Sequence, residues 1–471
     1  MSDAVIAHLA SQRQTILDRL LALLRIPSVS TDPGFAPHMD AARAMLLARL
    51  REIGLDDVQL LDGGDAMPKG GQPAIYGSWT KAPGKPTIII YGHYDVQPAD
   101  PLELWTTPPF EPTIRDNRIY ARGASDVKGS TTIAIETIAA FLAVTGGCPI
   151  NVKLFLEGEE EIGSPSLRGI VEKHRPLLAA DAMLSADGGR ASITVPTVGI
   201  GGRGITGLQF TIRTANQDGH SGRYGGASRN ALREIAALIA TIHDDQGRIL
   251  VANFGEDAAP ISNAARAAAA ALPFDEAQFF NDFGGTRWGD PNYTVRELTT
   301  LRPTIELNGL WGGYTGAGSK TVLPAEAHAK ITMRLSPGMS PEKASADLQK
   351  HLETHLPKGV TLEIQQEMGG TPANSLPEDH PMLHAALIVL QKLHNQPAFP
   401  TRAGGSIPIT SIFKDMLKIE SMTFGLAMPD EGAHAPNEFF RLTSLDEGLL
   451  SWPLLLTELG TLSADSFRRL G

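Results

Sequence analysis

Thr87-Ile88-Ile89-Ile90-Tyr91-Gly92-His93-Tyr94-Asp95-Val96-Gln97-Pro98 runs from an unbroken apolar segment into a polar turn that carries a histidine and an aspartate. A short run of β-branched and aromatic residues with no polar alternation reads as a strand buried on both faces. Similar runs occur at 86–91, 151–156 and 181–185, with helical patterns at 3–25, 37–53 and 129–144 around them. The alternation predicts an α/β unit whose helices cross between strands of a parallel or mixed sheet.

Each strand runs out into residues capable of chemistry. Val152 to Leu156 leads into Glu157-Gly158-Glu159-Glu160-Glu161. Ser185-Ala186-Asp187-Gly188-Gly189 ends the next strand, and Gly432-Ala433-His434-Ala435-Pro436-Asn437-Glu438 follows a strand expected near 420–426. A glycine-bounded loop, Arg122-Gly123-Ala124-Ser125-Asp126-Val127-Lys128-Gly129, enters the helix at 129. Ligands of open α/β sheets collect outside the carboxyl ends of the strands, where these segments would converge. Alone, the glutamate run also fits a solvated acidic loop, Asp126 an N-cap, and His93 an ordinary satisfied histidine. Together they are a carboxylate cluster that needs a counter-charge, since desolvated carboxylates repel one another and the run contains no Lys or Arg. Asp95, two residues beyond His93 and on the same side of an extended chain, is placed to hold the imidazole as metal-bound histidines require.

Gly201-Gly202-Arg203-Gly204-Ile205-Thr206-Gly207 matches G-x-G-x-x-G formally, but a strand pattern follows it where a dinucleotide site needs a helix. The glycines instead suit a flexible crossing between domains. Beyond them the order is strand (207–213), helix (229–243), strands (303–308, 328–335), helix (341–356) and strand (360–366), a split β-α-β-β-α-β layout. An alanine-rich insertion at roughly 255–300 is expected to be helical. The α/β pattern then resumes with a helix near 381–394. The expected division is a first catalytic part, 1–203, an inserted domain, 204–372, and a second catalytic part, 373–471.

The 471 residues are 42% hydrophobic and 20% charged, which excludes a disordered chain, and a net charge of −11 disfavours nucleic acid as partner. The single cysteine, Cys148, rules out an intrachain disulfide and fits a reducing, cytoplasmic setting as a buried thiol. The first 25 residues read as an amphipathic helix interrupted by Asp18, Arg19 and Arg25, not as a leader, and no apolar run of membrane-spanning length is expected.

Taken jointly, Gly92 to Pro98, Ser125 to Gly129, Glu157 to Ser164, Asp218-Gly219-His220-Ser221-Gly222 and Gly404-Gly405-Ser406-Ile407-Pro408 resemble the M20 family of metallopeptidases, most closely its dipeptidase branch, over essentially the whole chain. The resemblance implies a catalytic domain with a central mixed sheet flanked by helices, plus an inserted ferredoxin-like α+β lid and dimerisation domain. It implies two divalent metal ions, zinc by default with manganese or cobalt also suited to an oxygen-rich donor set. Asp126 would bridge the metals, His93 and Asp187 would complete one site, and Glu161 and His434 the other. The implied catalytic set is Glu160 as general base, Asp95 beside His93, and His220 supplied by a partner subunit to the oxyanion. Arg334 would bind a terminal carboxylate, with Thr321 and Ser406 as further substrate contacts, and a cis peptide is implied at Asp126-Val127. The implied activity is hydrolysis of dipeptides or short peptides by a homodimer joined through the lid. N-acyl-amino-acid amidohydrolysis (deacetylation or desuccinylation) and non-catalytic peptide binding are the alternatives.

Overall fold

The computed structural model describes residues 2–405 and 408–468, the side chains of 366–369, 408 and 468 excepted. The strands of the first part are β1 (Asp56–Leu61), β2 (Ala74–Trp79), β3 (Thr87–His93), β4 (Asn151–Glu157), β5 (Ala182–Ser185) and β6 (Thr197–Gly202); the expected apolar runs form β3, β4 and β5, whereas β1, β2 and β6 were not anticipated. The chain then builds β7 (Gly204–Arg213), β8 (Thr304–Gly312), β9 (Glu326–Leu335) and β10 (Thr361–Thr371), and returns through β11 (Asn374–Ser375), β12 (Phe399–Ala403) and β13 (Glu420–Thr423).

The larger sheet has nine strands in the order β1-β2-β4-β3-β5-β13-β6-β11, with β12 paired to β6. Its centre, β4-β3-β5-β13, is parallel throughout, so four carboxyl ends open on one edge. Alternate residues of each strand feed opposite layers, as an unalternating apolar run requires. Ile88, Ile90, Val152 and Leu154 join a core with the helices Gly129–Thr145, Pro381–His394 and Leu442–Leu459, while Ile89, Tyr91 and Phe155 face Leu167–Lys173 and Pro408–Leu417.

The second sheet is antiparallel in the order β8-β9-β7-β10, and the helices Ala231–Ile239 and Pro341–His355 pack on one face, a ferredoxin-like arrangement. Only Arg203 separates β6 from β7, so the crossing expected to be flexible is nearly continuous paired strand, and no helix follows the glycines. Gly201 is required there by close approach: a Cβ would lie 1.9 Å from the carbonyl oxygen of Asn374.

Local chemistry subdivides two expected elements. The N-terminal helix is two, Ser2–Ser11 and Arg13–Leu24, where the Ser11 hydroxyl donates to the His8 carbonyl and Gln12 leaves helical geometry. The insertion is three short helices, Asn263–Ala271, Glu276–Phe283 and Val295–Thr300, opened by the caps Ser262, Asp275 and Thr294. The stretch Ala124–Thr145 does have the length and apolarity of a membrane span, contrary to expectation, but 78% of its apolar window is buried in this fold, as a core helix would be. Cys148 is a buried free thiol pushed up to about 12 by burial.

His380 caps the helix Pro381–His394, its Nδ1 accepting from the Met382 amide at 3.2 Å while its ring packs edge-on against Phe467. Burial drives its pKa down to about 4, so the native state holds it neutral. The unfolded chain binds that proton near the ordinary histidine value, so this contribution is complete above about pH 6.5 and disappears as pH falls toward 4. Replacing His380 by Asn, which caps without titrating, is expected to flatten the fall in melting temperature between pH 6.5 and 4 relative to the parent, read by thermal denaturation.

Candidate metal centre

The four parallel strands deliver their ends to one place. β3 ends in His93, β4 runs into the glutamate segment, β5 leads to Asp187, and the chain after β13 supplies His434. Asp126 comes from the turn that opens the helix Gly129–Thr145, and its peptide to Val127 is cis as the resemblance implies.

Five side chains form two donor groups that share Asp126. His93, Asp126 and Asp187 make one; Asp126, Glu161 and His434 make the other, the donor atoms of each lying within 4.8 Å of one another. His93 Nε2 is 3.2 Å from Asp126 Oδ1 and 3.9 Å from Asp187 Oδ2. His434 Nε2 is 3.0 Å from Asp126 Oδ2 and 3.1 Å from Glu161 Oε2. His434 has a left-handed backbone at φ 63°, uncommon for a non-glycine residue and concentrated at functional sites.

The electrostatics show what this cluster lacks. Burial, reinforced by the charges of Asp126 and Glu161, pushes Asp187 up to about 6 against the pull of His93. Hydrogen bonds to the Asp126 and Glu161 carboxylates raise His434 to about 10. His93 is raised despite its burial because Asp126 and Asp95 face it. Although burial opposes it, His434 and His93 hold Asp126 below the usual carboxylate range. Among the described residues no Lys or Arg forms an ion pair with Asp126, Glu161 or Asp187. Three carboxylates and two imidazoles converge with a deficit of positive charge, and that donor set fits divalent cations.

The glutamate run divides into four roles. Glu157 is buried and accepts from the Tyr91 hydroxyl at 2.5 Å, its pKa pushed up to about 7 by burial. Glu159 staples the loop, accepting from the Gln72 and Ser166 amides. Glu161 turns toward His434 and also accepts from Gln97 Nε2 at 2.9 Å. Glu160 makes no side-chain hydrogen bond among the described residues, and burial followed by the Asp187 charge pushes it up to about 9.

Asp95 does hold His93, though its main chain lies nearer. His93 Nδ1 is 3.0 Å from the Asp95 carbonyl oxygen and 3.4 Å from Asp95 Oδ1, while Oδ2 accepts from Ser30 and the Glu161 amide. The carbonyl fixes the ring and the carboxylate ties the β3 end to the Glu161 loop.

The residues expected from the inserted domain are not brought to the centre. His220 is exposed, pairs through β-bridging with Val322, and sits beside Thr321, whose carbonyl accepts from the Ser221 amide at 3.0 Å. Neither makes a hydrogen bond or ion pair with the five donors among the described residues. Arg334 was expected in an apolar strand, but β9 alternates: Ala327, Ala329, Ile331, Met333 and Leu335 are buried, and Arg334 lies on the half-exposed face. It approaches Arg203, whose pKa burial and this second guanidinium lower to about 10. Ser406 lies outside the described residues. Arg203 was missed in the sequence; it binds the Gly404, Leu298 and Arg302 carbonyls and so joins the crossing, the glycine loop and the insertion.

Residues 89–458 match the family described as Peptidase family M20/M25/M40. The chain belongs to that family. The Beta-Ala-His dipeptidase of Rattus norvegicus is 30% identical over 429 residues, 88% of this chain and 86% of that protein. Among solved structures, the di-peptidase Dug1p from Saccharomyces cerevisiae superposes with a TM-score of 0.77 at 25% identity, covering 98% of this chain and 99% of its own. The M20 family metallo-carboxypeptidase Sso-CP2 from Sulfolobus solfataricus gives 0.77 at 27%, covering 95% and 99%. As an M20 protein the chain is a metallopeptidase that works with divalent metal ions, and its large mixed sheet with a second, smaller sheet is the family's catalytic and lid architecture.

Sharing of Asp126 by both groups sets an order of effects. Asp126→Asn is expected to lower bound divalent metal, measured by elemental analysis of the purified protein, more than either Asp187→Asn or Glu161→Gln.

Proposed function

We propose that this M20 protein hydrolyses the peptide bond of dipeptides or short peptides with a free C-terminal carboxylate, as a cytoplasmic homodimer carrying two divalent metals per subunit, zinc by default. The two donor groups joined at Asp126 carry the reading. His93, Asp126 and Asp187 would hold one ion, and Asp126, Glu161 and His434 the other. Bound there, the metals would supply the positive charge that polarises the scissile carbonyl and acidifies the attacking water.

Glu160 is the general base. Its carboxylate is adjacent in sequence to Glu161 yet hydrogen-bonded to no described residue, which leaves it available to take the proton of the attacking water. It then returns that proton to the leaving amine nitrogen. Arg334, half exposed and without an ion pair among the described residues, suits bidentate capture of the substrate's terminal carboxylate, with Thr321 and Ser406 as further contacts. The names of the relatives, dipeptidase and carboxypeptidase, both describe enzymes that read that terminus.

Residues 204–372 act as the lid and dimerisation domain. β8 is an edge strand of its sheet and exposes Leu307, Leu310 and Trp311, a surface suited to a second copy. His220 and Thr321 stand together on this domain and make no hydrogen bond or ion pair with the five donors among the described residues; they would serve the partner's site, where the imidazole would donate to the developing oxyanion.

Glu160→Ala is expected to retain its metal by elemental analysis and to lose about 100-fold or more in kcat for dipeptides. Unchanged turnover contradicts the assignment. The same assay should show dipeptides cleaved faster than N-acetyl or N-succinyl amino acids; cleavage of acyl substrates alone would make the protein an amidohydrolase. Mixing inactive His220→Ala with inactive Glu160→Ala chains should restore part of the activity through hybrid dimers, and no recovery despite subunit exchange refutes the shared site.

A further inference from the structure

Glu438 has no part in the chemistry above, yet it is fully buried at the edge of the metal centre. Its carboxylate is surrounded by donors from one loop. Oε1 accepts from the Ser125 and Asp126 amides at 2.9 and 3.1 Å, and Oε2 accepts from the Gly123 amide at 2.9 Å and from Arg122 Nη1 at 2.8 Å. Successive amides wrapped around an anion form a nest, and here the anion belongs to the protein. Without it, three amides at the turn carrying the shared aspartate would lose their acceptor.

Glu431 makes a second cross-link between the same two segments. Its Oε2 accepts from the Ser125 hydroxyl at 2.6 Å and the Met428 amide at 2.9 Å, and its Oε1 accepts from Arg441 Nη1 at 3.0 Å. Both carboxylates come from the segment that carries His434, and both reach the loop that carries Asp126. The ends are fixed by sheet pairing: Phe439 pairs with Tyr120, and the Ala121 amide donates to the Glu438 carbonyl. Gly123, at φ 84°, admits no side chain, since a Cβ would meet Val96 at 2.6 Å.

We infer that Glu438, assisted by Glu431, is a positioning residue that locks the Asp126 loop to the His434 loop, so that the shared carboxylate presents one oxygen to each donor group. Glu438 makes no hydrogen bond or ion pair with a metal donor atom and acts through the backbone of Asp126. The inference rests on the reading of the five residues as metal donors.

Glu438→Gln keeps the shape but turns an amide NH2 toward groups that are themselves donors. The test uses the full-length protein loaded with Co2+, following its visible spectrum and its loss of metal to a chelator, with thermal unfolding measured alongside. The expected result is Co2+ affinity lower by about 10- to 100-fold and an altered Co2+ spectrum. A lower melting temperature with affinity and spectrum unchanged overturns the inference, because Glu438 then only braces the fold. If Glu438→Gln does not fold, Glu431→Gln carries the test with the same two readouts, and failure of both to fold also assigns the pair to folding alone. A parent protein that binds no Co2+, or binds it equally after Asp126→Asn, refutes the metal reading itself.

Discussion

One carboxylate, that of Asp126, faces two imidazoles, Oδ1 toward His93 and Oδ2 toward His434. That sharing is the constraint on which the rest of the site depends. With both oxygens of Asp126 turned to the imidazoles, the hydrogen bond that braces this residue is made to its backbone amide. The brace arrives from the other ligand loop, through Glu438 and Glu431. Two of the other candidate donors are also braced: His93 by the Asp95 carbonyl, and the Glu161 loop by the Asp95 carboxylate.

The sheet explains why these groups meet. Four adjacent parallel strands place four carboxyl ends on one edge, so residues distant in the chain arrive together without a long structureless loop. The concentration of acids there is unfavourable for the empty protein. Asp187 and Glu160 are pushed upward and the two histidines are drawn toward their charged forms, all in the direction that divalent cations relieve. The adjacent pair Glu160 and Glu161 is held differently, as the proposed split between metal binding and proton transfer requires: Glu161 is engaged by His434 and Gln97, and Glu160 makes no side-chain hydrogen bond among the described residues.

Much of this was legible in the residues. Uninterrupted apolar runs marked β3, β4 and β5 because strands buried on both faces carry no alternation, and the split β-α-β-β-α-β order marked the second sheet. The candidate donor set was reached through family resemblance, since spacing alone leaves His93, Asp126 and the glutamates with ordinary explanations. What escaped depends on tertiary contact. The setting of Arg334 was misread because the polar alternation of β9 was overlooked. The N-terminal helix divides at Gln12, whose backbone leaves helical geometry beside Ser11, a serine bonded back to the His8 carbonyl. Glu438 and Arg203 act on main-chain groups from afar, and no local pattern distinguishes such a residue from a surface charge.

His220 and Thr321 stand together at a short two-stranded ribbon, apart from the strand ends that carry the metal donors, and the proposed shared site would need both domains and a second subunit to complete it. The central claim is that two metals flank Asp126. Crystals of the zinc-loaded protein, with anomalous diffraction recorded on either side of the zinc edge, test it most directly. The account predicts two anomalous peaks, one among His93, Asp126 and Asp187 and the other among Asp126, Glu161 and His434. A single peak that bypasses Asp126, or none near it at full metal occupancy, would contradict it.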